Sequence, residues 1–107
     1  MPKKTLQWDI QQNNESLFVK LSGELTRDTL LPLWKQRASF LSPNQNQNLY
    51  WDLKELELID SAGFTLLAEL VNHYHQIVPT HIINMPDSVK TLAELYDLEA
   101  WLEQFIV

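Results

Sequence analysis

Apolar and polar residues alternate in the first part of the chain, and this pattern predicts two β-strands. Between Leu6 and Ile10 every second residue is apolar, which places the apolar side chains on one face of a strand. The polar run at 11–14 predicts a turn, and residues 17–22 form a second run rich in β-branched and aromatic side chains. We therefore expect a β-hairpin that ends at Gly23.

The spacing of apolar residues becomes helical after the hairpin. It predicts a helix over roughly 29–41, in which Pro32 is tolerated because the first turn does not need its missing N–H. Two apolar faces result, one with Leu30, Leu33, Arg37 and Leu41 and the other with Leu31, Trp34 and Ala38. A helix packed on one sheet needs a single apolar face. The second face, which carries an indole, therefore indicates a contact outside the core.

The remainder of the chain continues to alternate strands with helices. We predict a polar loop at 42–48, a buried strand at 49–53, a charged bend at 54–57 and a helix from Ser61 to about Gln76. A buried strand at 80–84 follows, and then a helix that begins near Asp87 and has the apolar stripe Val89, Leu92, Ala93 and Tyr96. The tail from Leu98 is either a short helix that closes the core or a second interaction surface. This order implies crossover connections. It predicts an α/β fold with a small mixed sheet and helices packed mainly on one face.

The segment 58–67 organises the rest of the chain. An apolar pair runs into Asp60 and Ser61, whose side chains favour helix N-caps, and a helical apolar stripe follows. Gly63 is one of only two glycines, so we expect a close approach there by a neighbouring element or a partner. Ser61 should then expose its hydroxyl at the positive end of a helix. In the simpler interpretation, Asp60 and Ser61 only cap the helix.

Composition narrows the classes of function. With 107 residues and 45% hydrophobic content, residues 1–107 should form one domain with one core. The formal charge of −6 argues against binding to nucleic acid or to anionic lipid. Residues 1–9 lack the apolar region of a signal peptide, and no apolar run approaches the ~20 residues of a membrane span. We expect a cytoplasmic protein that reaches a membrane only through another subunit.

The residues give little support for catalysis or for a bound metal or cofactor. There is no cysteine, and His73 and His75 are two residues apart on a predicted helix, so they point away from each other. The acidic residues at 55–60 have no evident nucleophile beside them, and the two distant glycines cannot form a phosphate-binding loop. We predict a binding protein without a cofactor. A phosphate on Ser61 would add about −1.5 to −2 charge where the helix dipole stabilises it.

Three stretches of the chain resemble a known family. Residues 53–63, which end in Ile-Asp-Ser-Ala-Gly, resemble the motif of STAS domains (sulfate transporter and anti-sigma factor antagonist). Residues 22–34 and 91–98 are similar to the STAS subunits of ABC transporters that maintain lipid asymmetry. The resemblance implies a small mixed sheet with helices on one side. It also implies a cytoplasmic accessory subunit at the inner membrane of a Gram-negative bacterium.

By this resemblance, the partner is the ATPase subunit of a complex that also contains permease and substrate-binding subunits. The subunit would support assembly and activity of a complex that moves phospholipids between the inner and outer membranes. Ser61 and Trp34 match positions that the family uses against the ATPase. The predicted partner-binding residues are Trp34, Ser61, Asp60, Ala62, Gly63, Leu31 and Thr65.

Two other functions stay open at this point. The first is an anti-sigma factor antagonist that is switched off by phosphorylation of Ser61. Many such antagonists carry a second hydroxyl residue where this chain has Ala62, but Ser61 itself can still be phosphorylated. The second is direct carriage of lipid, which is weak because so small a core leaves little room for acyl chains.

Overall fold

The computed structural model describes residues 5–107. Its elements are β1 (Leu6–Gln12), β2 (Ser16–Leu25), α1 (Leu31–Lys35), β3 (Asn48–Ile59), α2 (Ser61–His75), β4 (Thr80–Ile83), α3 (Asp87–Leu95) and α4 (Glu99–Glu103). This is the predicted order of elements, with the tail forming a further short helix. The expectation that the chain has no signal peptide rests partly on residues 1–4, which lie outside the described part.

The four strands form one mixed sheet in the order β1-β2-β3-β4. β1 pairs antiparallel with β2, whereas β2–β3 and β3–β4 are parallel pairs joined by helical crossovers. Val19, Trp51 and Ile82 lie opposite one another in register and are all fully buried, which identifies the face that the helices cover. The predicted α/β architecture is confirmed.

The core lies between this face of the sheet and the helices, of which α2 contributes the most buried residues. Trp51 of β3 and Tyr74 of α2 are both fully buried, with ring centroids 6.1 Å apart. Phe40 packs on both rings, at 6.0 Å from Trp51 and 5.7 Å from Tyr74. The phenol oxygen of Tyr74 also accepts a hydrogen bond from the backbone N–H of Leu41, at 3.3 Å. The core therefore fixes the segment that follows α1.

The prediction of a bend at 54–57 was wrong, because β3 continues without interruption to Ile59. Its pairing with β2 shifts register between Lys20 and Ser22 and again between Gly23 and Glu24. Each irregularity turns extra residues of β3 outward, so polar residues follow one another without ending the strand. The run of charges reflects bulged pairing rather than a turn.

The predicted helix over 29–41 was also too long. α1 spans five residues, has no side-chain cap at Leu30, and ends at Lys35; the next residue, Gln36, has a φ of −104°. Leu33 and Leu41 are nevertheless buried as predicted, because apolar spacing reports burial of a segment whether or not it is helical. Pro32 does lie in the first turn.

The C-terminal tail closes the core, which was one of its two predicted roles. Phe105 is buried, and its carbonyl accepts a hydrogen bond from the N–H of Ile82 at 2.7 Å. Ile106 forms a parallel bridge with the same residue at the edge of β4. Tyr96 departs from the predicted apolar stripe of α3, since its side chain is 46% exposed.

No helix in residues 5–107 has the length and apolar character that a membrane crossing requires.

Candidate functional site

Asp60 forms the corner at which β3 passes into α2. One carboxylate oxygen, Oδ1, accepts a hydrogen bond from the N–H of Gly63 at 2.8 Å and so caps the helix. The other, Oδ2, accepts from the N–H of Arg27 at 3.0 Å, in the loop that follows β2. The predicted capping by Asp60 is confirmed. Its second hydrogen bond also attaches the start of α2 to a loop 33 residues earlier in the chain.

Gly63 permits close packing at this corner. A Cβ atom at this position would lie 1.9 Å from the carbonyl oxygen of Leu25 and 2.7 Å from its carbonyl carbon. The first turn of α2 therefore rests directly on the backbone at the end of β2. The close approach expected at Gly63 is explained by a neighbouring element of the same chain.

Ser61 and Thr65 lie on the outer side of α2. Ser61 is the first residue of the helix and is exposed; Thr65 is exposed one turn later and donates its Oγ1–H to the Ser61 carbonyl at 2.9 Å. Glu69 follows at the same four-residue interval and is also exposed. The three side chains form one line along the helix, because residues four apart lie above one another.

Arg37 joins this line to the indole of Trp34. Its guanidinium lies 4.0 Å from the centre of the Trp34 ring, and its Nη1–H donates to the Trp34 carbonyl at 2.8 Å. Its Nε lies 3.8 Å from Oε2 of Glu69. The stacking, the hydrogen bond and the ion pair together hold one charged group between α1 and α2. We call the resulting surface the α1–α2 face; it consists of Leu31, Trp34, Arg37, Ser61, Thr65 and Glu69.

Most of the other predicted residues are less accessible than Ser61 and Thr65. Leu31 is 54% exposed, but Trp34 is half-buried and packs against the core. Asp60 and Ala62 are half-buried and Gly63 is buried, so these three residues lie under or beside the corner that exposes Ser61. Contact of any of the seven residues with a partner stays a prediction.

Sequence reasoning did not place Arg37 and Glu69 on the α1–α2 face, or Tyr96 beside α2. Arg37 had been placed on the core side of a long helix, whereas its guanidinium covers Trp34. Glu69 could have been found, because it continues the interval from Ser61 to Thr65. Tyr96 stacks on Phe64 with ring centroids 6.0 Å apart and borders the first turns of α2 from the side of α3. That contact joins distant parts of the chain and has no local signal.

The groups that the α1–α2 face offers can be compared with those elsewhere on the molecule. Within residues 5–107, no three histidine, aspartate or glutamate side chains converge in a way that could hold a metal ion. A cavity of about 440 Å³ lies between β4, α3 and the C-terminal residues, away from Ser61. The α1–α2 face instead offers an aliphatic side chain, an indole covered by a guanidinium, and two hydroxyls.

The sequence and fold match known proteins over most of the chain. The family model described as "Mlab, STAS domain" matches residues 8–106. The chain is 39% identical over 104 residues to the intermembrane phospholipid transport system binding protein MlaB of Haemophilus influenzae, covering 94% of this chain and 99% of that protein. It is 34% identical over 98 residues to the protein of the same name from Escherichia coli K12, covering 91% and 93%.

A solved structure shares the fold at low sequence identity. The anti-sigma factor antagonist from Mycobacterium paratuberculosis superposes with a TM-score of 0.73 over 94% of this chain and 85% of that one, at 16% sequence identity. At this identity, the likeness concerns the fold alone. The family model and the two MlaB relatives give a more specific assignment than this likeness in fold. The chain belongs to the STAS-domain family of MlaB proteins.

Proposed function

We propose that this chain, as one STAS domain over residues 1–107, is a non-catalytic subunit that binds the ATPase of an ABC transporter for intermembrane phospholipid transport. The names of its MlaB relatives supply the transport system, and the resemblance noted in the sequence supplies the ATPase as partner. The observation that carries the proposal is the α1–α2 face. There the indole predicted to contact the partner is connected through Arg37 to the line of side chains that begins at Ser61.

The α1–α2 face has features of a protein-binding surface. Tryptophan and arginine are enriched among the residues that dominate binding energy, and here they stack on each other. Because Arg37 is already held by Trp34 and Glu69, it would lose less side-chain freedom on binding than an unconstrained arginine. An exposed ion pair contributes little to folding stability. Exclusion of water by a partner would strengthen the Coulomb attraction within the pair but would also desolvate both charges.

The proposal also places the protein in the cell. The subunit would be cytoplasmic and would lie at the inner membrane through the complex, in which the ATPase joins permease and substrate-binding subunits. It would support the assembly and activity of that complex. The excess of acidic residues, fourteen against eight basic ones, supports attachment through a protein rather than directly to anionic lipid or nucleic acid.

The test is substitution of the two predicted anchors. If Trp34 and the guanidinium stacked on it contact the ATPase together, Trp34→Ala should weaken the complex by more than about 1–2 kcal/mol, measured by titration of the purified subunits. Ser61→Asp should weaken it further by placing a charge at the exposed corner. The matched control is Trp8→Ala, which removes a half-buried indole from β1. Thermal unfolding should first show that the Trp34→Ala, Ser61→Asp double variant is folded. The proposal is wrong if this folded variant co-purifies with the ATPase at wild-type stoichiometry.

The second candidate is an anti-sigma factor antagonist regulated at Ser61. It is favoured by the exposure of Ser61 at the first position of a 15-residue helix, where backbone N–H groups and the helix dipole would stabilise a phosphate. Incubation with candidate kinases, followed by intact-mass measurement, distinguishes the two functions. Stoichiometric phosphate on Ser61 that abolishes binding to an anti-sigma kinase would favour the antagonist. A chain that stays unmodified and still binds the ATPase would favour the transporter subunit.

A further inference from the structure

The face of the sheet that points away from the helices carries a row of stacked rings. Phe18, Tyr50 and His81 lie opposite one another on β2, β3 and β4. The centroids of Phe18 and Tyr50 are 4.9 Å apart with ring planes 16° apart, and those of Tyr50 and His81 are 4.9 Å apart at 26°. Phe18 remains 36% exposed at one end of the row. Because the rings stack on one another, only the two end rings have a face that is not covered by the row, and Phe18 is the end ring on the side of β1.

Carboxylates lie beside the row. At the next position on the same side of the sheet, Asp9, Lys20 and Asp52 lie opposite one another on β1, β2 and β3. The ammonium of Lys20 pairs with Glu55, at 3.8 Å, and within residues 5–107 no ion pair within 4 Å involves Asp9 or Asp52. Asp9 accepts a hydrogen bond from the side-chain amide of Gln11, at 3.3 Å. A cavity of about 270 Å³ opens here, lined by Asp9, Gln11, Phe18, Lys20 and Asp52. We call this surface the open face; it consists of Phe18, Tyr50, His81, Asp9, Asp52 and Lys20.

The side chain that fits this combination is arginine. Its guanidinium is planar, stacks on aromatic rings and forms paired hydrogen bonds with carboxylates. Asp52 accepts two hydrogen bonds at Oδ1, from the N–H of Lys54 and the amide of Asn84, which fixes the direction of its Oδ2. The ring of Phe18 and the carboxylates of Asp9 and Asp52 therefore present both kinds of contact in one cavity.

Charge selects among possible occupants of the open face. Across the adjoining strands, the carboxylates of Asp9, Asp52, Glu55 and Glu57 outnumber the ammonium groups of Lys20 and Lys54. This excess repels phosphates, so the aromatic row does not suit a nucleic acid. A second copy of the chain would bring two acidic faces together. We infer that the open face is a second docking surface, separate from the α1–α2 face, for a basic protein segment that inserts an arginine between Phe18, Asp9 and Asp52.

The experiment uses two short capped peptides as probes, one alternating arginine with serine and the other alternating lysine with serine. Binding to the whole protein is followed by amide chemical shifts at low ionic strength. The arginine peptide should shift the amide resonances of β1, β2 and β3 residues around the cavity. It should bind at least about fivefold more tightly than the lysine peptide, because only a guanidinium can stack on a ring and form paired hydrogen bonds with carboxylates at the same time. Equal affinity for the two peptides, or shifts spread over all acidic surfaces, would overturn the inference.

Variants complete the test. Asp9→Asn with Asp52→Asn should lower affinity for the arginine peptide about tenfold, because both carboxylates lose their charge while the amides keep the shape. The matched control, Glu94→Gln with Glu103→Gln, removes the same charge from exposed positions of α3 and α4 and should leave affinity within about twofold. If the two double variants weaken binding equally, the affinity depends only on the net charge of the protein and the inference fails. Dimers that protect the open face in solution would also overturn it.

Discussion

Gly63 shows how much of this structure depends on one missing side chain. In Gly63→Ala the new Cβ would meet the backbone of Leu25 at 1.9 Å, and backbone, unlike the end of a flexible side chain, cannot turn aside. The start of α2 would have to move off the end of β2. We expect a loss of about 2–3 kcal/mol in the free energy of unfolding, typical of overpacking at a closely packed site. Urea denaturation measures it.

The control for this substitution is Asn72→Ala, on the exposed side of the same helix. Alanine has the higher helix propensity, so this variant should be neutral or slightly more stable than the wild type. If Gly63→Ala unfolds at the same urea concentration as the control, the contact between α2 and Leu25 is looser than the structure indicates. A large loss would confirm that the corner carrying Ser61 is fixed by backbone packing.

Among the elements, those specified by local signals were predictable from the sequence. The start of α2 was predicted because the cap at Asp60 and the spacing of the buried leucines both lie within the segment. The length of β3 was not, since its bulged pairing depends on β2, which lies far away in sequence. α1 was predicted too long because Leu33 and Leu41 are buried on both sides of the point where the helix ends.

In the candidate site, too, some features were predictable from local signals and others were not. Ser61 was expected at an exposed corner from the cap and helix signals beside it, and the structure exposes it. The hydrogen bond from Arg27 to Asp60 and the bridge from Trp34 through Arg37 to Glu69 join residues about thirty positions apart. No periodicity within one segment specifies contacts of this kind. The sequence could therefore indicate the exposed position of Ser61, but not the contacts that hold the residues around it in place.

Tyr74 connects two elements in a way that pH should reveal. Burial raises the pKa of the Tyr74 phenol, and the hydrogen bond from the Leu41 N–H opposes this rise. In the unfolded chain the phenol loses its proton near pH 10. Between that pH and the higher pKa of the folded state, only the unfolded chain is ionised at this group. The free energy of unfolding should therefore fall as pH rises above about 10 and should not depend on Tyr74 ionisation below it.

Tyr74→Phe isolates this effect. At pH 7 it should cost about 1 kcal/mol, because the buried N–H of Leu41 loses its acceptor. Above pH 10 the variant should lose less stability than the wild type, since it has no phenol at this position to ionise. Chemical denaturation of both proteins from pH 7 to about pH 11 makes the comparison. Stability curves that remain parallel across this range would show that Tyr74 does not control the alkaline response.

At the scale of the whole molecule, the two proposed surfaces lie on opposite sides of one sheet. The α1–α2 face belongs to the helical layer, and the open face is the other side of the same strands, in a molecule whose smallest dimension is 22 Å. In the described part of the chain, no ion pair joins the two sets of residues. One chain could therefore hold the ATPase and a basic segment at the same time and act as a bridge between them.

If the two faces bind their ligands at the same time and independently, the effects of substitutions at the two faces on binding free energy should be additive. Affinity for the arginine peptide should be the same for the free protein and for the protein bound to the ATPase. Combining Trp34→Ala with Asp9→Asn and Asp52→Asn should leave the change at each face within about 0.5 kcal/mol of its value alone, because distant sites with no shared partner are independent. Calorimetric titration of each ligand into the two single-face variants and their combination measures the coupling. Displacement of the ATPase by the peptide would instead show that the faces compete, and the bridging role would have to be given up.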